Sequence, residues 1–165
     1  MRRGELLGLM WNDIEDTVIH VRRAVYLQGG IPTVEDGVAK TYSSIRDIPI
    51  EKELADLIRT IPKRGIYAFS AYSGNLMNPR NFNRSYDSFS ANLRKENPGV
   101  RELSPHYCRH TFATLTQKNG TNIHIVQLML GHTNIKTTAG YSHPDEEDMQ
   151  AASKSYFDYL HKADS

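Results

Sequence analysis

SPHYCRHTFATLTQKNG, residues 104–120, carries the clearest helix signals in the chain. Ser104 can act as an N-cap because its hydroxyl can accept a hydrogen bond from a free amide of the first turn. Pro105 fits the first helical position, where the amide that proline lacks would have no partner. Gly120 is a stop signal, since glycine readily adopts the left-handed conformation that ends many helices. The stretch therefore predicts a helix of about four turns.

The two faces of this predicted helix carry different residue types. Cys108, Phe112 and Leu115 have the spacing i, i+4, i+7 and are expected to face the core. His106 and Arg109 then lie side by side near the surface, where an imidazole and a guanidinium can hold an anion between them. Taken alone, this pair is explained at least as well by a solvated helix face.

His106 and His110 are one helical turn apart, as two metal ligands on a helix would be. The acidic residue of the H-E-x-x-H pattern is absent, and the sequence places no third ligand near them. We therefore expect no metal site at these histidines.

The segments around this helix predict an α+β fold, mainly helical, in which the helices pack on one side of a small three-stranded antiparallel sheet. The turn signals are Gly29-Gly30 and Asp36-Gly37. β-branched and aromatic residues predict strands in 17–27, 38–42 and 45–50. Apolar residues at helical spacing predict further helices in 51–61, 81–95, 123–130 and 145–161.

The composition is that of a globular protein rather than a membrane or secreted protein. Hydrophobic residues make up 39% and charged residues 24% of the 165 residues, and no apolar run approaches the roughly 18 residues that span a bilayer. The single cysteine, Cys108, excludes an intrachain disulfide, and the first residues lack the apolar stretch of a secretory signal. We therefore expect one globular domain in the cytoplasm.

The net charge of +1 does not by itself indicate a nucleic-acid partner. Residues 145–165 hold six acidic and two basic residues, so the rest of the chain carries 18 basic against 13 acidic residues. An excess of this size fits an ordinary mixed surface as well as it fits a surface for DNA.

A second group of polar residues follows the predicted 123–130 helix. The string LGH, 130–132, places a histidine just past the helix end, and Tyr141 follows in a polar stretch. A glycine before Tyr141 and the string SHP, 142–144, after it indicate an exposed, movable segment, whereas a tyrosine is more often buried.

Five segments together resemble the tyrosine recombinases of the phage integrase type. HYCRHTFAT (106–114) is similar to their H-x-x-R-H-T-F-A-T box, LGH (130–132) to their L-G-H, and TTAGYSH (137–143) to their nucleophile box. MRRGELLGL (1–9) resembles the segment with their first catalytic arginine, and KTYSSIRDIPI (40–50) the hairpin with their catalytic lysine. The segments occur in the family's order across nearly the whole chain, which makes the resemblance specific.

The resemblance implies a site-specific recombinase that cuts and rejoins DNA through a 3′-phosphotyrosine. It also implies six catalytic residues at one phosphate: Arg2, Lys40, His106, Arg109, His132 and Tyr141. Tyr141 would be the nucleophile and His106 its base, because a free tyrosine has a pKa of about 10. Lys40 would protonate the leaving 5′-oxygen. Since the phosphotyrosine conserves the bond energy, the reaction needs no metal or other cofactor.

The phosphate clamp implied by the resemblance consists of two arginines and a histidine. Arg2 and Arg109 would bind the phosphate oxygens, a task that suits the planar, permanently charged guanidinium. Alignment with the family's R-x-x-E assigns this role to Arg2 and not to Arg3, and His132 would add a hydrogen bond. Tyr42 stands where many relatives have a second lysine, which weakens the local positive field.

The resemblance also implies a domain organisation and partners. Residues 1–144 would form a catalytic domain, truncated at its N-terminus relative to the family. Residues 145–165 would form a C-terminal helical tail that docks on a neighbouring protomer or folds back on its own domain. The implied partners are double-stranded DNA and other recombinase protomers, as a tetramer on DNA.

Two other functions are compatible with the sequence. A non-catalytic DNA-binding or assembly fragment of a truncated integrase is supported by the missing upstream region and the near-neutral charge. A type IB topoisomerase would share the phosphotyrosine chemistry, but the compact L-G-H and T-T-x-x-Y boxes favour the recombinase.

Overall fold

The computed structural model of the chain describes residues 1–36, 45–100, 103–131 and 146–163. The strands in these ranges are β1 (Val18–Val21), β2 (Arg23–Gln28), β3 (Ile31–Asp36) and β4 (Arg46–Pro49). The helices are α1 (Arg3–Leu7), α2 (Lys52–Arg59), α3 (Pro79–Glu96), α4 (Pro105–Lys118), α5 (Ile123–Leu130) and α6 (Glu146–Ala163), with a short 3-10 helix at Trp11–Asp13. The predicted α+β class is confirmed, and helix accounts for most of the regular structure.

Within the described ranges the strands form two antiparallel pairs, whereas the sequence predicted one three-stranded sheet. β1 pairs with β4, and β2 pairs with β3 through a tight turn at Gly29 and Gly30, whose φ angles of 58° and 88° are positive. The predicted strand 17–27 divides at Arg22 because its two halves have different partners. The predicted strand 38–42 lies outside the described residues, and so does Gly37 of the predicted turn at Asp36-Gly37.

The local helix signals in the sequence locate the later helices well. Ser104 is the N-cap of α4, where its hydroxyl accepts a hydrogen bond from the amide of Tyr107 at 3.2 Å. α5 has the predicted bounds and ends at Gly131, whose φ of 67° lies in the left-handed region that favours glycine. The chain therefore leaves the end of α5 in a defined direction.

The buried face of α4 differs from the predicted one at Cys108. Cys108 is exposed, and its sulfur lies 3.1 Å from the hydroxyl of Tyr86 on α3. Phe112 packs towards α5 and α6, and Thr116 is fully buried with its hydroxyl donating to the Phe112 carbonyl at 2.6 Å. This bond within the helix satisfies the hydroxyl of Thr116, so a polar residue can be buried there.

α6 folds back on its own chain, where it packs on α4, α5 and β4. Ala152 is buried against Ile125 and Met129 of α5, and the ring of Tyr156 lies 5.0 Å from that of Phe112, measured between ring centres. This is the second of the two arrangements that the sequence allowed for the tail. None of the helices in the described ranges is both long and apolar enough to cross a membrane.

Candidate active site

Three of the six predicted catalytic residues line one cavity between α1, α3 and the start of α4. Arg2, His106 and Arg109 all border this space of about 570 Å³, together with Arg3 and Asn83. Arg2 and Arg109 are 107 positions apart in the sequence, so the fold alone brings them together. The other three predicted residues lie outside the described ranges: Lys40, His132 and Tyr141.

Arg109 reaches the cavity from the second turn of α4. Its Nη2 donates to the Leu130 carbonyl at 2.6 Å. Its Nη1 is buried and has no hydrogen-bond partner within the described ranges. Burial lowers the pKa of Arg109 to about 10, with further contributions from the neighbouring Arg2 and Arg46 guanidinium groups. The group stays charged at neutral pH, and an oxyanion would both neutralise it and complete its hydrogen bonds.

Arg2 enters from the opposite side, as the N-cap residue of α1. Its Nη2 donates to the Gly131 carbonyl at 2.6 Å and its Nη1 to Glu5 Oε1 at 2.9 Å. Its side chain nevertheless remains 43% exposed, so part of the guanidinium is open to a ligand. The adjacent Arg3 turns to α3 and donates to Asn83 Oδ1 at 3.0 Å.

Glu5 is the acidic residue that holds these basic groups in place. Its side chain is 2% exposed and its two oxygens accept four hydrogen bonds, two from Arg2 and two from Arg46. Burial by itself would raise the pKa of Glu5, but the hydrogen bonds and charge of Arg46, with the hydrogen bonds of Arg2, outweigh it and hold the pKa at about 2. Glu5 is therefore ionised at any pH at which the chain would work.

We expect Glu5 to make the stability of the chain pH-dependent in acid. Its folded pKa lies below the ordinary value of 4.5, so its contribution is complete above pH 4.5 and is lost as the pH falls towards 2. The shift corresponds to about 3 kcal/mol of unfolding free energy. Urea titrations between pH 7 and pH 2 should show that the unfolding free energy falls less in acid for Glu5→Gln than for the wild type.

Glu35→Gln is the matched control for this measurement, because Glu35 is exposed on β3. Its unfolding free energy should follow that of the wild type at every pH. If the unfolding free energy of Glu5→Gln falls in acid as much as that of the wild type, Glu5 does not have the depressed pKa.

Three consecutive carbonyl oxygens at the end of α5 each accept a hydrogen bond from a different arginine. The pairs are Arg46 Nε to Met129 at 2.8 Å, Arg109 Nη2 to Leu130 at 2.6 Å, and Arg2 Nη2 to Gly131 at 2.6 Å. The last carbonyls of a helix lack intrahelical partners and carry partial negative charge, so cations stabilise them. The end of α5 thus orients the arginines, and the predicted His132 is the next residue along the chain.

His106 lies at the mouth of the cavity on the first turn of α4 and is exposed. Its Nε2 is 2.8 Å from Nε2 of His110, one turn further along the helix. One of the two nitrogens must donate and the other accept, so the pair shares one proton. In the described ranges no three His, Cys, Asp or Glu side chains are arranged as a metal would require.

The described part of the cavity is cationic. Arg2, Arg3 and Arg109 line it, and none of the described residues that line it is acidic. An anion that enters it gains two charged donors from different elements. A singly charged phosphodiester fits this arrangement, whereas a cationic or apolar ligand does not.

Proteins of known fold show the same architecture. A structure of the Tn1549 transposon integrase in complex with transposon right end DNA has a TM-score of 0.72 and 23% identity, over 93% of this chain and 54% of that one. A crystal structure of XerA recombinase has a TM-score of 0.54 and 23% identity, over 96% of this chain and 53% of that one. At these identities the similarity establishes the fold.

Curated relatives agree with this similarity. The tyrosine recombinase XerC-like protein of Caldanaerobacter subterraneus is 29% identical over 171 aligned positions, which cover 87% of this chain and 42% of that protein. Tyrosine recombinase XerA of Saccharolobus solfataricus is 41% identical over 70 residues, 42% of this chain and 24% of that protein. The chain thus spans less than half the length of these two relatives.

The family assignment rests on a match that is longer than half of the chain. Residues 1–148 match the family model described as Phage integrase family, and this range contains all six predicted catalytic residues. The chain belongs to the phage integrase family.

Proposed function

We propose that this chain is the catalytic region of a site-specific tyrosine recombinase that cleaves and rejoins DNA. The observation that carries the proposal is the cavity shared by Arg2, His106 and Arg109, with the buried Arg109 Nη1 unpartnered within the described ranges. Two guanidinium groups from distant parts of the chain suit the two non-bridging oxygens of one phosphodiester. Membership of the phage integrase family supports the same reaction.

The proposed reaction exchanges one phosphate ester for another. The hydroxyl oxygen of Tyr141 forms a bond to the scissile phosphorus, and the bond from phosphorus to the 5′-oxygen breaks. A 3′-phosphotyrosyl strand and a free 5′-hydroxyl result. In the second half a 5′-hydroxyl attacks the phosphotyrosine and releases Tyr141. Arg2 and Arg109 would stabilise the charge on the non-bridging oxygens in both halves.

Two protons must move in the cleavage half. The proton of the Tyr141 hydroxyl would pass to His106, and the hydrogen bond between His106 and His110 keeps the His106 imidazole oriented at the cavity mouth. Lys40 would give a proton to the leaving 5′-oxygen, and His132 would donate a hydrogen bond to the phosphate. These roles follow from the family resemblance of the segments that carry the residues.

The proposed partners are double-stranded DNA and further protomers. A tetramer on DNA would allow two pairs of strands to be exchanged, and the cytoplasm is where such DNA is found. We propose residues 1–144 as the catalytic domain and 145–165 as the tail. In the described structure α6 packs on its own chain, so its docking on another protomer would require α6 to exchange places with its counterpart.

Trapping on nicked DNA tests the proposed function. The probe is a pool of 5′-labelled duplexes with random sequence around a nick. Cleavage a few nucleotides before the nick releases a short 5′-hydroxyl fragment, which diffuses away and leaves the protein attached. We expect a labelled adduct that survives detergent and disappears on protease treatment.

The same duplexes without a nick serve as the control. Their cleaved 5′-hydroxyl strand stays in place and is rejoined, so little adduct should accumulate. DNA binding without any adduct would contradict the proposal and favour the non-catalytic DNA-binding fragment. If the chain shows neither DNA binding nor an adduct, both functions are contradicted.

A further inference from the structure

We infer that Arg46 is a positioning residue that sets the place of Arg2 through the carboxylate of Glu5. The inference rests on the proposed function, because Arg2 is proposed to bind the scissile phosphate. Arg46 does not line the cavity itself. Its effect on the reaction must therefore pass through the groups that it contacts.

Arg46 lies at the start of β4, opposite Val21 of β1, and its side chain is 9% exposed. Its Nη1 donates to Glu5 Oε1 at 3.1 Å and its Nη2 to Glu5 Oε2 at 2.8 Å, while its Nε donates to the Met129 carbonyl at 2.8 Å. The planar guanidinium therefore ties α1 and the end of α5 to one strand, in a single fixed geometry.

Glu5 makes Arg2 depend on Arg46. Each oxygen of Glu5 accepts one hydrogen bond from Arg46 and one from Arg2, which contributes its Nη1 and its backbone amide. If Arg46 is lost, Arg2 is the one of these two arginines that still pairs with the buried carboxylate. We expect it to draw the Arg2 guanidinium onto both of its oxygens, because an unpaired buried charge is costly. Arg2 would then leave the Gly131 carbonyl and turn away from the cavity.

Lysine cannot replace Arg46 in this role. An ammonium group keeps the charge but has no rigid fork, so it cannot bridge both oxygens of Glu5 and also reach the Met129 carbonyl in a fixed direction. Arg46→Lys thus separates the positioning geometry from the positive charge, and it is the most informative substitution.

The test measures cleavage of nicked DNA at saturating DNA by the full chain, in the presence and absence of Arg2. We expect Arg46→Lys to slow adduct formation by about tenfold or more, with little change in the Kd for DNA. In the Arg2→Ala background, Arg46→Lys should cause no further loss, because the group that it positions is gone. If Arg46 had a purely structural role, Arg46→Lys would slow adduct formation by the same factor with Arg2 present and with Arg2 replaced by alanine.

Arg23→Lys is the matched control. Arg23 lies at the start of β2, is largely buried and bonds to Asp13 and Asp36, but it does not line the cavity. Its substitution should lower the unfolding free energy and leave the rate of adduct formation of the folded protein unchanged.

A second pair of variants keeps the inference testable if Arg46→Lys fails to fold. Glu5→Gln/Arg46→Met removes both charges together and leaves no unpaired buried ion. Its rate should equal that of Glu5→Gln alone, because Arg46 acts through Glu5.

Two results would overturn the inference: a wild-type rate in Arg46→Lys, or an equal loss with and without Arg2. A wild-type chain that forms no adduct is a different result, because it overturns the proposed function itself.

Discussion

Tyr141→Phe should abolish the covalent adduct with nicked DNA while leaving non-covalent DNA binding nearly unchanged. The substitution removes only the hydroxyl oxygen that forms the new bond to phosphorus, so no weaker version of the reaction remains. The rate should fall below detection, and the Kd from a gel-shift titration should stay within about twofold of the wild-type value. Tyr141 lies outside the described residues, so this expectation comes from the sequence.

Tyr159→Phe is the matched control, because Tyr159 is exposed on α6 and loses the same hydroxyl. It should form the adduct at the wild-type rate. Tyr156 is packed against Phe112 and is not free to reach a phosphate in this arrangement. A detergent-stable adduct in Tyr141→Phe would mean that another residue is the nucleophile.

Arg109→Lys should slow adduct formation by roughly 10²- to 10³-fold, the usual loss when one donor to a developing oxyanion is removed. Lysine keeps the positive charge but cannot bond the Leu130 carbonyl and present a second donor to the phosphate in the way that Nη2 and Nη1 of Arg109 do. DNA affinity should change far less, because the charge is retained.

Arg94→Lys provides the comparison, since Arg94 lies in the exposed last turn of α3 and does not line the cavity. Its adduct rate should match that of the wild type. If Arg109→Lys is as fast as Arg94→Lys, then Arg109 does not bind the phosphate in the transition state.

Helix bounds near strong local signals could be predicted from the sequence. Ser104 and Pro105 begin α4, and Gly131 ends α5, because capping and left-handed glycine act within a few residues of the chain. The division of the first predicted strand at Arg22 could not be predicted. It depends on which distant strand each half pairs with, and the pattern of 17–27 does not encode that choice.

One residue of the predicted buried face of α4, Cys108, was predicted wrongly for a similar reason. Hydrophobicity placed Cys108 in the core, but the position of α5 and α6 decides which side of α4 is covered. Thr116 could take the buried position because its hydroxyl bonds within its own helix. Apolar spacing does not identify a polar residue that is satisfied in this way.

Helical spacing placed His106 and Arg109 side by side, but only the motifs gave the described part of the candidate site its catalytic roles. Arg2, His106 and Arg109 were identified by resemblance, and the cavity that they share follows from the fold. Glu5 served only to align Arg2, and Arg46 was part of a matching string without a role. Their contact joins residues 41 positions apart, so spacing along the chain carries no signal for it.

Mass spectrometry of the trapped adduct tests the central claim most directly. The wild-type chain is trapped on nicked DNA, digested with nuclease and protease, and the peptide that carries a nucleotide is sequenced. We expect one modified residue, Tyr141, linked to the 3′-phosphate of the nucleotide. A nucleotide on any other residue, or a link through a 5′-phosphate, would contradict the claim.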